Sequence, residues 1–131
     1  MPFKGVCNCG NIQVSLDQQP ENTLVCHCRN CTKAGGGPFS INYAVEDSTA
    51  NINDPHASLK IYKDANTDSG NRIQRQFCGN CGSPILSKSP KYPGMSIFKA
   101  MLFEELAPPS KEVFTGSRVG FVKPIEGAEQ A

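Results

Sequence analysis

A mainly β fold with little helix is what this sequence predicts, and three observations predict it. Glycine (12) and proline (10) punctuate the chain often, and tryptophan is absent. Apolar residues come in short runs rather than at helical spacing over long windows. Several of those runs alternate apolar with polar residues and are bounded by Gly, Pro, Asn or Asp, as strands are. No internal repeat, low-complexity tract or linker divides the 131 residues, so a single domain spanning 1–131 is expected, with a polar tail from about residue 125.

Taken in order, the expected strands are NIQVSL (11–16), TLVCHC (23–28), FSINYAV (39–45), SLKIYK (58–63), NRIQRQFC (71–78), PILSKS (84–89) and MSIFKAMLF (95–103). One short helix is expected near Cys31. The stretch EDSTANINDPH (46–56) is polar, carries Asp-Pro and has no period, so it reads as a loop. The C-terminal GSRVGFVKPIEGAEQA ends in polar residues and is expected to fray beyond Pro124.

Lysine and arginine total 13 against 12 acids, a formal charge of +1. That balance offers no surplus of positive potential for nucleic acid or an anionic membrane surface, so neither is an expected partner. The opening MPFKGVCNCG has no apolar core of a signal peptide, and nowhere is there an apolar run of about 18 residues, the length a membrane span needs. A cytoplasmic protein is expected, with the nucleus as the other reducing location. Seven cysteines in such a compartment, an odd number gathered in tight groups, argue for thiolate ligation rather than a disulfide framework.

The first group joins VCNCG to FCGNCG. Cys7 and Cys9 are two apart, and on a strand residues i and i+2 project from one face. Cys78 and Cys81 form a CxxC turn in which Gly79 and Gly82 suit a backbone that must curl around an ion. A cysteine pair joined to a distant CxxC is a standard construction for a closed four-cysteine zinc site, so Cys7, Cys9, Cys78 and Cys81 are expected to hold a structural zinc.

The second group is CHCRNC, where Cys26, Cys28 and Cys31 crowd three thiols into six residues. Three protein ligands with a vacant fourth position mark catalytic rather than structural zinc. An all-thiolate set makes a poor Lewis acid for activating water, but it suits a soft fourth ligand such as a small-molecule thiol held as thiolate. Two zinc ions per chain are therefore expected, with Cys26, Cys28 and Cys31 carrying the chemistry. The plainer reading makes this cluster a second piece of scaffold.

His27 should point away from both flanking thiols and serve packing or the surface rather than ligation, and His56 lies in the Asp-Pro loop. Gly35 to Gly37 offer backbone amides to a ligand only as a loop of that kind commonly does. Arg29, Lys33, Gly36 and Arg75 are the candidate substrate contacts; the cations, with Arg72, suit the carboxylates of an acidic thiol such as glutathione. No Ser/His/Asp arrangement is visible, and thiol addition to a reactive aldehyde needs little acid–base machinery.

In their order, GVCNCG, CHCRNCTKAGGGPF and FCGNCGSPI resemble the glutathione-dependent formaldehyde-activating enzyme family, also called the GFA or CENP-V domain family. The resemblance runs from Gly5 to about Pro124 and includes the late VFTGSRVGFVKP. It implies an Mss4-like fold of twisted antiparallel sheets organised around zinc. It also implies structural zinc on Cys7, Cys9, Cys78 and Cys81 and a second zinc on Cys26, Cys28 and Cys31. The implied activity is that of a carbon–sulfur lyase, in the founding case joining glutathione and formaldehyde reversibly. The alternative is a non-catalytic zinc-stabilised β-domain that binds protein partners, as the centromere-associated relatives suggest. Zinc buffering or redox sensing by a labile three-cysteine cluster is a third reading.

Overall fold

The structure, a computed structural model, describes residues 2–65, 67 and 69–131. Its strands are β1 (Phe3–Val6), β2 (Gln13–Leu16), β3 (Thr23–Cys26), β4 (Ser40–Glu46), β5 (Ala50–Asn53), β6 (Leu59–Asp64), β7 (Ile73–Cys78), β8 (Pro84–Lys88), β9 (Met95–Lys99), β10 (Pro109–Val113) and β11 (Glu129–Gln130). One helix, α1 (Arg29–Gly35), starts immediately after Cys28. Among the described residues no helix is long and apolar enough to cross a membrane.

All seven expected strands are present; most are trimmed at their ends, and β4 and β6 each run one residue further, to Glu46 and Asp64. The run 95–103 gives up its last residues to a 3-10 turn, Ala100–Leu102. Two expectations need correction. The stretch 46–56 is not all loop, because β5 pairs antiparallel with β2. Its Ala50 and Ile52 pack partly inward while Asn51 and Asn53 face water, an alternation too short, and too rich in strand-disfavouring asparagine, to stand out. Nor does the tail fray: β11 lies parallel to β10, and the Ala131 N–H donates to the Glu112 carbonyl at 2.9 Å.

The strands form two sheets, a small one in the order β1-β2-β5 and an eight-stranded one in the order β11-β10-β3-β4-β9-β8-β7-β6. Pairing is antiparallel except where β10 runs parallel to both β3 and β11. Residues directly opposite in a ladder present side chains to the same face, so the register sorts the large sheet into two faces. Tyr43, Phe98, Leu86 and Gln76 form one row across β4, β9, β8 and β7. Ala44, Ile97, Ser87 and Arg75 form the next row, on the other face.

The first face is the core. Tyr43, Phe98 and Leu86 are closed to solvent and pack with Ile12, Val14 and Leu16 from the small-sheet side. Phe3 stacks on Phe103 with ring centroids 4.6 Å apart, and both meet Tyr43 edge-on, the arrangement the ring quadrupole favours. The buried Tyr43 hydroxyl is satisfied: it accepts from the Ala107 N–H at 2.9 Å and donates to the Glu105 carbonyl at 3.2 Å. The second face carries no such lid from the small sheet, and the cavity described below opens on it.

Gly5 is where β1 meets Phe103, just after the 3-10 turn, through an isolated bridge. A Cβ there would sit 2.9 Å from the Leu102 carbonyl oxygen and 2.9 Å from Phe103 Cδ1. Backbone cannot yield as a side-chain tip can, so Gly5→Ala is expected to cost about 1–3 kcal/mol by overpacking. Urea denaturation checks it; an unchanged midpoint would contradict the close approach.

Candidate metal centre and cavity

Two turns on the core side bring the first four cysteines together. Cys7 and Cys9 do not lie on a strand pleat: β1 stops at Val6, and the Gly10 N–H donates to the Cys7 carbonyl at 3.1 Å to close a turn. The facing turn follows β7. There the Gly82 N–H donates to the Cys78 carbonyl at 2.8 Å, with Gly82 at φ +80°, a conformation glycine takes without Cβ strain. Gly79 has a different reason to be glycine, since a Cβ would lie 3.0 Å from the Ser58 carbonyl and 2.8 Å from the Lys60 side chain. The Asn8 N–H donates to the Ser83 hydroxyl at 3.1 Å and links the two turns.

The four sulfurs of Cys7, Cys9, Cys78 and Cys81 lie within 4.8 Å of one another. Cys9 is 3.7 Å from both Cys7 and Cys78. Zinc–thiolate bonds of about 2.3 Å in a tetrahedron give sulfur–sulfur edges of about 3.8 Å, so this spacing suits an ion at the centre. Backbone amides support the sulfurs: Ile12 N–H points at Cys7 Sγ at 3.3 Å and Cys81 N–H at Cys78 Sγ at 3.5 Å. A hydrogen bond from the Ser83 hydroxyl brings the Cys81 thiol down to about 5, whereas burial pushes Cys78 up to about 11. Among the described residues this is the one set of three or more such ligands gathered so closely.

The second cluster stands on the other face of the large sheet. Cys26 ends β3, Cys28 caps α1, and Cys31 lies in its first turn. Cys26 donates to Cys31 at 3.6 Å, and all three cysteines line one cavity of about 430 Å³. That hydrogen bond, opposed by burial and aided by the positive charges of Arg75 and Lys99, holds Cys31 at about 5. Cys26 is pushed up in turn, so the proton they share sits on Cys26.

Arg75 reaches the cluster from β7, 44 residues away in sequence. Its Nε donates to Asp64 at 2.8 Å, and its two terminal nitrogens lie 3.8 and 3.9 Å from Cys31 Sγ. Burial works against its charge, but the Asp64 hydrogen bond and the Cys31 thiolate raise its affinity for the proton. Lys99, on β9, also lines the cavity; it is 9% exposed and donates to Asn42 Oδ1 at 3.3 Å. Desolvation lowers its pKa, with the Cys31 charge opposing.

Of the four substrate contacts expected from sequence, Arg75 lines this cavity. Arg29 and Lys33 lie exposed on α1, and Gly36 is its left-handed C-cap at φ 70°, donating to the Thr32 carbonyl at 2.8 Å. None of these three is among the cavity's described lining residues. His27 turns away from the cavity, fully buried, with Nε2 2.7 Å from Glu112. Lys99 and Asn42 are not among the residues that the sequence motifs point to. The available signal was parity: Lys99 shares the alternation of Met95 and Ile97 in a run of apolar residues.

Fold and site together define a mainly β domain organised around clustered cysteines, one group of which is spaced to hold a metal ion. The chain belongs to the glutathione-dependent formaldehyde-activating enzyme family, which matches residues 2–117. It is also similar in fold to a Rhodobacter sphaeroides protein of known crystal structure, with a TM-score of 0.62 at 18% identity, over 79% of this chain and 90% of that one. None of the curated protein sequences matches it.

Proposed function

We propose that this protein is a zinc-dependent carbon–sulfur lyase. It makes and breaks the bond between a small thiol and an aldehyde carbon, with glutathione and formaldehyde the pair that the family's name suggests. The observation that carries this reading is convergence: Cys26, Cys28, Cys31, Arg75 and Lys99 line a single cavity. The four-cysteine cluster is the structural zinc site and the three-cysteine cluster the second one. Cys26, Cys28 and Cys31 would hold the zinc there, and it would supply a soft site that favours a substrate sulfur as thiolate near neutral pH.

The chain's own groups do the rest. Arg75 and Lys99 offset the negative charge that clustered thiolates bring to a buried place, which would otherwise be costly. When the substrate sulfur adds to the aldehyde, its lone pair becomes the C–S bond and the carbonyl π pair moves to oxygen. The proton released from the thiol ends on that oxygen, so no oxidant or reductant is required. Of the cations that line the cavity, Lys99 interacts electrostatically with all three cysteines, and we assign it to the oxygen as its charge grows. The reverse direction returns the same proton to sulfur.

Lys99→Met is expected to lower kcat/KM by about a hundredfold while zinc content and melting temperature hold. Equal turnover would remove Lys99 from the chemistry. The reading as a whole is tested by zinc per chain on reduced protein, with and without glutathione and after mild chelation. Two zincs, one labile and protected by the thiol, support it, as does a Cys28→Ser protein that keeps its fold and one zinc but loses turnover. One tightly held zinc, indifferent to thiols, sinks it in favour of a protein-binding domain.

A further inference from the structure

We infer that the thiol adduct this cavity takes has an apolar body of about aromatic-ring size, rather than the charged skeleton of glutathione; the inference rests on the lyase reading above and names its substrate class. Cys31, Arg75, Lys99 and Asn42 form one polar group on the cavity's lining, and Thr67, Ser69, Asn71, Ser89 and Lys91 line it as well. Its walls are Leu24, Ile73, Met95, Ile97, Val113 and Phe114, contributed by β3, β7, β9 and β10 and the turn beyond β10.

Those wall positions follow from the register. Ile97 shares its row with Ala44, Ser87 and Arg75, and Val113 sits opposite Cys26. The second face of the sheet therefore carries aliphatic side chains beside the cysteines and not as part of the core. Tyr92 and Phe114, both on the cavity's lining, are exposed large apolar side chains, and whatever part of them faces the cavity an apolar ligand would cover at a gain. An engineered cavity of about 150 Å³ holds benzene, so about 430 Å³ seats a ring with room for the reacting carbon.

Phe114 adds a second, independent observation. Its backbone is left-handed, at φ 55° and ψ 41°, a region that bulky residues rarely enter. Strain of that kind persists where surroundings over-determine it, and it gathers at ligand clamps. Here the chain on either side is anchored: Val113 pairs with Cys26, and the Thr115 N–H donates to the Ala131 carbonyl at 3.1 Å. A large aromatic ring is thus held at the cavity, where glycine would relieve the backbone. Arg75, Lys91 and Lys99 offer partners to the carboxylates of glutathione, but no acidic side chain among the described lining residues pairs with its ammonium, and an unpaired charge in such a place is costly.

The test is calorimetric titration of reduced, zinc-replete protein with phenylmethanethiol, with glutathione, and with phenylmethanol, which has oxygen in place of sulfur. Phenylmethanethiol is expected to bind at least about tenfold more tightly than glutathione. Phe114→Ala and Ile97→Asp are expected to weaken phenylmethanethiol by about tenfold while leaving glutathione within about twofold. Glutathione binding as tightly as phenylmethanethiol, in a manner lost in Cys28→Ser, overturns the apolar-substrate inference and leaves the lyase reading intact. Phenylmethanol binding as tightly as phenylmethanethiol, unchanged in Cys28→Ser, overturns the lyase reading and this inference with it.

Discussion

Cys81→Ser is expected to leave the domain unfolded at room temperature, or folded only marginally. The four sulfurs join the turn after β1 to the turn after β7, 69 residues apart from Cys9 to Cys78, and so pin the small sheet to the large one. Apparent binding energies of structural zinc reach about 10–16 kcal/mol, against a total stability of about 5–15 kcal/mol for a domain. Serine keeps the size of the side chain but offers no thiolate, and it leaves three thiolates to share an ion that four were spaced to hold. Chelation of the wild-type protein should have the same effect, reversed by added zinc. Circular dichroism melts with parallel zinc analysis check both; a Cys81→Ser melt within a few degrees of wild type would show that core packing, not the ion, holds the sheets together. Cys28→Ser is the contrasting case, because its cavity lies on the face of the large sheet away from the core.

What was readable beforehand follows the range over which each interaction acts. Strands that alternate between a core face and a solvent face announce themselves locally, and so do cysteines, whose ligand spacing is written in the chain. The missed strands lack a local signal. FKGV (β1) is short and built around Gly5, beside which the backbone of Leu102 and the ring of Phe103 come too close for a Cβ. PSKEV (β10) reads as a polar surface segment, and its place between β3 and β11 depends on partners elsewhere in the chain. The same holds at the cavity. Arg29 and Lys33 lie near Cys31 in sequence, but the helix turns about 100° per residue and leaves them exposed. Arg75 and Lys99 arrive through strand register, which pairs Arg75 with Ser87, Ser87 with Ile97, and Lys99 with Asn42. No window of the sequence contains that arrangement.

Glu112 on β10 shows how much such a hidden partner can matter, and Glu112→Ala is expected to cost about 3–5 kcal/mol, the usual loss when one member of a buried charged pair is removed. The side chain is fully closed to solvent. Its carboxylate accepts from His27 Nε2 at 2.7 Å, from the Ile125 N–H at 2.8 Å and from Gln130 Nε2 at 2.6 Å, with Arg118 at 3.4 Å. Two buried nitrogens around it, His27 Nδ1 and Arg118 Nε, have no hydrogen-bond partner among the described residues, so the network has little to fall back on. Glutamine does not repair it, because its amide would turn donors toward groups that already donate. Burial pushes this carboxyl up, but the Ile125 N–H, the Gln130 amide, His27 and Arg118 outweigh it and hold it at about 2. The folded value lies below the ordinary one of about 4.3. The stabilisation is therefore fully present above that ordinary value and lost as pH falls toward about 2. The difference between wild type and Glu112→Ala should accordingly be constant above about pH 5 and narrow below about pH 4. Urea denaturation across that range measures it, and at neutral pH a drop in melting temperature of about 10 °C or more is expected. A neutral-pH loss under about 1 kcal/mol would mean that water or the tail can replace the carboxylate. The docked C-terminus would then be a passenger on β10 rather than part of what holds β3, and with it Cys26, in place.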